Sequence, residues 1–275
     1  MDLKKFGIRA LVTIVFGPFI LFCAWKGSYL FLALVTSLVV LGAGEFYGLA
    51  VKKVTNPQRI LGMVASAALC LSLFFYATHY LWLVFAVLVF FSGTYELFRN
   101  AVNPILNIAA TLMGVLCVAL PLSFLLLIRE LPNQFNFDYR HGGQIVILVF
   151  LTIWVCDTMA YVLGSQFGKH KLFERASPNK TIEGTLCGFL SAVTVAWVCQ
   201  QTFLSHMRLV DVLVIGVISG SVGQMSDLLE SLLKRDAGVK DSSNLIPGHG
   251  GILDRFDSEI LVAPAVYVYL KLVVF

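Results

Sequence analysis

The chain has 275 residues, of which 58% are hydrophobic and only 13% charged, with a formal net charge of +4 and a mean hydropathy of +0.85. A soluble domain carries about 25% charged residues, so composition excludes an ordinary water-soluble fold and places the chain in the membrane class. Length therefore counts helical spans, each needing about 20 apolar residues. Cys23, Cys70, Cys117, Cys156, Cys187 and Cys199 all lie in apolar runs and form no Cys-x-x-Cys or Cys/His spacing, which argues against a zinc site or a disulfide framework.

Taken in chain order, Met1 to Lys5 followed by an apolar run from Ala10 to Ala24 has the outline of a signal peptide. No Ala-x-Ala-like site follows it, and it is expected to remain as the first span. Apolar runs then predict helices at 8–25, 28–50, 60–77, 80–94, 104–128, 144–167, 184–204, 209–230 and 259–275. The fourth is short and pairs with its neighbour as a hairpin. The expected fold is an all-α polytopic integral membrane protein of about nine transmembrane helices. Fifteen of the twenty Lys and Arg residues sort to the side of the N-terminus, leaving Lys26, Arg129, Arg140, Arg208 and Lys271 opposite. The positive-inside rule then makes the N-terminus cytoplasmic. Residues 1–143 are expected to form N-terminal helices serving as a homodimer interface or a lipid entrance. Glu45 and Glu96, near helix ends, are read as lining that entrance or as solvated ends. Residues 144–275 are expected to form the catalytic part, with cytoplasmic loops 168–183 and 231–258.

The second loop is far longer than a helix connection needs. Ahead of it, Leu228/Leu229 and Leu232/Leu233 recur every four residues, so the eighth span continues as helix and puts Asp227, Glu230 and Lys234 on one face. Ionisable residues near hydrocarbon depth face a cavity or a partner; the plainer reading is a pairing of Lys234 with Asp227 or Glu230. Gly, Pro, Ser and Asn between Asp236 and Gly251 make a turn-rich loop whose backbone N–H groups suit phosphate oxygens. His249, between glycines, suits phosphate binding, proton transfer or a turn cap. Asp254 and Asp257, at i and i+3, would present two carboxylates beside Lys and Arg, a setting for Mg²⁺ shared with phosphate. The alternative is a helix start capped by Asp257 or Ser258. Upstream, Asp157 interrupts an apolar run and calls for a partner or an aqueous cavity. The loop after it carries Lys169, Lys171, Arg175 and Ser177-Pro178-Asn179-Lys180-Thr181-Ile182-Glu183-Gly184. Its Lys and hydroxyls suit phosphate, and Glu183 suits orienting Lys180 or a base; contact with anionic lipid heads is the plainer role.

The stretch Ser231-x-Leu233-Lys234-Arg235-x₄-Lys240-Asp241-x-Ser243-x₂-Ile246-Pro247-x-His249-Gly250-Gly251-Ile252-x-Asp254-Arg255-Phe256-Asp257 resembles the signature of the phosphatidate cytidylyltransferases. Ser177-Pro178-x-Lys180-Thr181-x-Glu183-Gly184 is similar to that family's second motif. Ser226 stands where the family usually has glycine ahead of Asp227. The resemblance implies transfer of CMP from CTP to phosphatidate, giving CDP-diacylglycerol and pyrophosphate in phospholipid biosynthesis, with Mg²⁺ as cofactor. It implies Asp227 and Asp254 as metal-binding carboxylates, with Asp257 a weaker third. Lys234, Arg235, Lys240, His249 and Arg255 are expected to act with them in catalysis. Ser177, Lys180, Thr181, Glu183, Asp157 and Asp241 are expected to bind substrate. The location implied is a bacterial-type inner membrane, with the site facing the cytoplasm. The alternatives are a CTP-dependent transferase or kinase acting on another lipid phosphate or a polyprenol, and a non-enzymatic anionic-lipid transporter. A nucleic-acid partner is not expected, because the basic loops are short and tied to acidic residues.

Overall fold

The structure is a computed structural model that describes residues 3–53, 55–246, 248 and 250–275, with side chains described from Ile14 onward apart from positions 54, 247 and 249. His249 and Pro247 of the signature therefore lie outside the described residues.

The helices are α1 (Leu3–Lys26), α2 (Ser28–Val51), α3 (Arg59–Tyr76), α4 (Leu81–Arg99), α5 (Pro104–Gly114), α6 (Leu120–Gln134), α7 (Tyr139–Phe167), α8 (Ile182–Thr202), α9 (Leu209–Asp236) and α10 (Asp257–Tyr269). A π-helical turn, Val115–Ala119, joins α5 to α6. Pro121 has no N–H to give the preceding turn, and the ladder there slips to the wider i→i+5 register. Among the described residues seven helices are long and apolar enough to cross a membrane: α2, α3, α4, the continuous α5–α6, α7, α8 and α9. The chain is thus an all-α polytopic membrane protein. Each apolar run read from the sequence coincides with a helix to within several residues, because a run of that length has no other way to satisfy its backbone in lipid.

Residues cluster into two compact units, Met1–Leu127 with Asp236–Phe256, and Ile128–Arg235 with Asp257–Phe275. In the first, α2 is the central helix. Its Tyr47 is fully buried and gives its hydroxyl to the Thr111 carbonyl at 3.0 Å. The ring lies against Gly62 of α3 and Gly114 of α5, where any Cβ would overlap it. Gly114→Ala is therefore expected to overpack this site at a cost of about 1–3 kcal/mol. A lowered thermal midpoint in detergent checks it, and an unchanged midpoint would mean that the ring has room to move.

In the second unit α7 and α8 pack backbone to backbone. Gly188 faces the Cys156 carbonyl, and Gly164 and Gly184 face each other, the small-residue contact that membrane helices use for close approach. The polar loop between them contains a short antiparallel hairpin, β1 (Lys171–Phe173) and β2 (Ser177–Thr181), with Lys171 opposite Thr181 and Phe173 opposite Ser177. Thr181 ends the hairpin and caps α8, its Oγ1 accepting from Gly184 N at 3.2 Å.

Candidate active site

In the second unit, the hairpin brings the second motif to Asp227 on α9, just ahead of the signature. Lys180 on β2 forms an ion pair with Asp227 Oδ2 on α9, although the two lie 47 positions apart. Ser231, one turn further along α9, gives its hydroxyl to Asp227 Oδ1 at 3.3 Å. Both members of the ion pair are partly exposed, with side-chain exposures of 26% and 22%, so the pair is within reach of a polar ligand.

Three further residues settle in specific ways. Glu230 pairs with Lys234, and both are buried; the plainer reading of that helix face is the one observed. Glu183 accepts Lys169 N at 3.1 Å, His170 N at 3.2 Å and the His170 ring at 2.6 Å. It therefore fixes the root of the hairpin that carries Lys180, rather than touching Lys180 as the sequence suggested. Ser226, which takes the place of the family's glycine, is buried. It donates to the Asp257 carbonyl and accepts from Leu261 N at 3.3 Å, joining α9 to the start of α10.

Asp257 has Asp227, Glu230, Asp157 and Glu259 as its neighbouring charges. Asp157 is exposed rather than buried in its apolar run. Glu259, which sequence reasoning did not single out, is 1% exposed, and neither of its oxygens has a hydrogen-bond partner among the described residues. Asp157, Asp227, Glu230, Asp257 and Glu259 thus gather where α7, α9 and α10 meet, with Lys180 and Lys234 paired to Asp227 and Glu230. Ser177 is half-buried, Thr181 is buried and Arg235 is exposed.

In the first unit, the signature segment after α9 folds on its own carboxylate. Asp254 is buried in the 3₁₀ turn Leu253–Arg255. Its Oδ2 accepts Ser242 N at 2.9 Å and Gly251 N at 2.7 Å and lies 2.9 Å from Ser242 Oγ. Oδ1 has a longer bond, 3.2 Å, to Ser242 N. Gly250 sits at φ +85° and its missing Cβ leaves room for Asp254 Oδ2; both features demand glycine. Ile246 N donates to the Gly250 carbonyl at 2.9 Å. Lys240, Asp241 and Arg255 are exposed around this core. Glu45 and Glu96 are not solvated helix ends: both are buried. Glu96 is taken up by Gln58 at 2.8 Å and Asn107 at 2.6 Å, and Glu45 is taken up by the signature segment.

Residues 7–273 match the cytidylyltransferase family. The chain belongs to that family. It is 33% identical over 271 aligned positions to a phosphatidate cytidylyltransferase of Synechocystis sp., an alignment that spans 90% of each chain. Phosphatidate cytidylyltransferases of Staphylococcus epidermidis and Bacillus subtilis are 45% and 42% identical to it over 129 and 137 residues. In those two cases the chain spans about half the length of the relative, 50% and 51%. The family assignment covers the whole of α2 through α10, including the N-terminal helices that sequence motifs alone left without a role.

Proposed function

We propose that this chain transfers CMP from CTP to phosphatidate at the cytoplasmic face of a bacterial-type inner membrane, giving CDP-diacylglycerol and pyrophosphate. The observation that carries the reading is the convergence of Lys180, from the second motif, on Asp227, just ahead of the signature, in a chain of this family. A phosphatidate oxygen attacks the α-phosphorus of CTP, the new P–O bond forms, and the bond to pyrophosphate breaks with its electron pair leaving on the pyrophosphate. Both reactants are highly negative, so catalysis is chiefly positioning and charge neutralisation. In the second unit Lys180 and Arg235 supply positive charge and Ser177 and Thr181 supply hydroxyls; in the first, Lys240 and Arg255 supply positive charge. No strong general base is required, because the attacking phosphate is already ionised near neutral pH.

The donor chemistry fits a hard divalent cation. Asp227 and Asp257 offer oxygen ligands, and Asp227 holds its partners Lys180 and Ser231 through side chains that can exchange. Among the described residues no three His, Cys, Asp or Glu side chains are arranged as a closed metal cage. Mg²⁺ needs none, since it keeps waters and shares substrate phosphates with one or two carboxylates. Asp227 would hold it, with Asp257 of the same unit as the further carboxylate; Asp254, in the first unit, is the other carboxylate for which the family signature implies a metal role. When bound, it would neutralise phosphate charge and orient the triphosphate.

The test is CTP-dependent product formation in detergent micelles. CDP-lipid and pyrophosphate should appear together with phosphatidate and disappear on chelation of divalent cations. Product from a different lipid phosphate alone would keep the reaction and replace the acceptor; no product from any lipid phosphate would overturn the reading. His249→Ala is expected to slow turnover by about ten- to a thousandfold, as measured in the same assay. An unchanged rate would leave His249 a turn residue.

A further inference from the structure

We infer that Glu45, near the C-terminal end of the second helix and far from every motif in the sequence, is the positioning residue for the signature segment. The inference rests on the cytidylyltransferase reading above and extends it to the N-terminal helices. Glu45 is 8% exposed. Its Oε1 accepts Ser243 Oγ at 2.6 Å and Ile252 N at 2.9 Å. Its Oε2 accepts Leu253 N at 2.8 Å and lies 2.9 Å from Ser242 Oγ. Each oxygen thus faces one serine from before the glycine turn and one backbone amide from after it.

The arrangement is a clamp. Residues 244–251 have a sequence suited to many conformations, and their two ends are drawn to one carboxylate that belongs to neither. Ser242 Oγ has a single proton and stands 2.9 Å from both Glu45 Oε2 and Asp254 Oδ2. Two carboxylates therefore share one hydroxyl, and the position of Asp254 is coupled to that of Glu45. Gly251 is part of the fit, because a Cβ there would overlap both Ser242 Oγ and Glu45 Oε2. Lys53, in the turn just after α2, donates to the Asp236 carbonyl at 3.2 Å and to its Oδ1 at 3.0 Å. That pair is exposed and contributes little by itself, but it tethers the start of the same segment to the turn that follows α2. Glu45 touches none of the reacting groups in this reading; it acts through Asp254 and through the backbone of the segment it holds.

Loss of the clamp should leave the segment folded for only part of the time. A ligand that needs the ordered state then binds with an apparent constant weakened by the inverse of the populated fraction. Glu45→Ala is accordingly expected to raise KM for CTP about tenfold or more while kcat at saturating CTP falls much less. The amides from Ser242 to Leu253 should exchange with deuterium about tenfold faster or more. Glu96→Gln is the matched control: it disturbs an equally buried carboxylate of the same unit that holds Gln58 and Asn107 and not the signature segment. It should lower the thermal midpoint without moving either readout. If Glu45→Ala fails to fold, Glu45→Gln keeps the shape, loses one acceptor oxygen, and should show both effects in reduced degree. Wild-type exchange together with a wild-type KM in the Glu45 variants overturns the inference. A wild-type chain that makes no CDP-lipid overturns the function instead, and in that case the exchange measurement still decides whether Glu45 holds the segment.

Discussion

Asp227→Asn is expected to reduce CDP-lipid formation by about a thousandfold or more, with the thermal midpoint in detergent close to that of the parent. Asparagine has nearly the same shape and retains a carbonyl oxygen that can accept from Lys180 or Ser231, so α9 and the hairpin keep their geometry. What is lost is the negative charge, the property on which the proposed role depends. A cation that neutralises phosphate needs an anionic ligand, and Lys180 would be left without its counter-ion beside the triphosphate. Turnover near the parental rate would remove Asp227 from the site. A large drop in midpoint would mean that the ion pair with Lys180 chiefly serves the fold.

Asp254→Asn is expected to damage both activity and stability, and the difference between the two variants is informative. Asp254 is 8% exposed, and its Oδ2 faces Ser242 N, Ser242 Oγ and Gly251 N at 2.7–2.9 Å. An amide can present only one oxygen, and its NH₂ group opposes any donor on the other side. With its oxygen at the Oδ2 position the amide keeps these donors, but the charge that strengthens the bonds is lost and the NH₂ group meets Ser242 N, at a cost of about 1–3 kcal/mol. The thermal midpoint should fall, the amides around Gly251 should exchange faster, and product formation should be lost. Full loss of activity with an unchanged midpoint and unchanged exchange would assign Asp254 to chemistry alone. Normal activity would show that the signature aspartate is replaceable.

Much of this molecule is legible in order along the chain. The nine apolar runs mark the helices because lipid offers no hydrogen-bond partner and the only local solution is a continuous helix. The turn around Gly250 is legible for the same kind of reason: its backbone conformation is one that glycine adopts cheaply. The signature and second motif point to the family, and the pairing of Glu230 with Lys234 follows from their spacing of one helical turn.

Other features were not legible. The hairpin at Lys171–Thr181 is too short for any period to show. The role of Glu183 depends on where the chain turns back: its bonds to Lys169 and His170 close a loop whose shape its own residues do not dictate. Ser226, read as a departure from the family, proves to be a packing residue once α10 is beside it.

The sequence by itself determined the membrane class, the helices, the family and the list of charged residues to be placed, because each rests on local composition or on short spacing. Only the tertiary structure decided which charges meet. Lys180 finds Asp227 across 47 positions, and Glu45 reaches Leu253 across 208. A carboxylate in a greasy chain must be satisfied, but the requirement names no partner; the packing of helices chooses one.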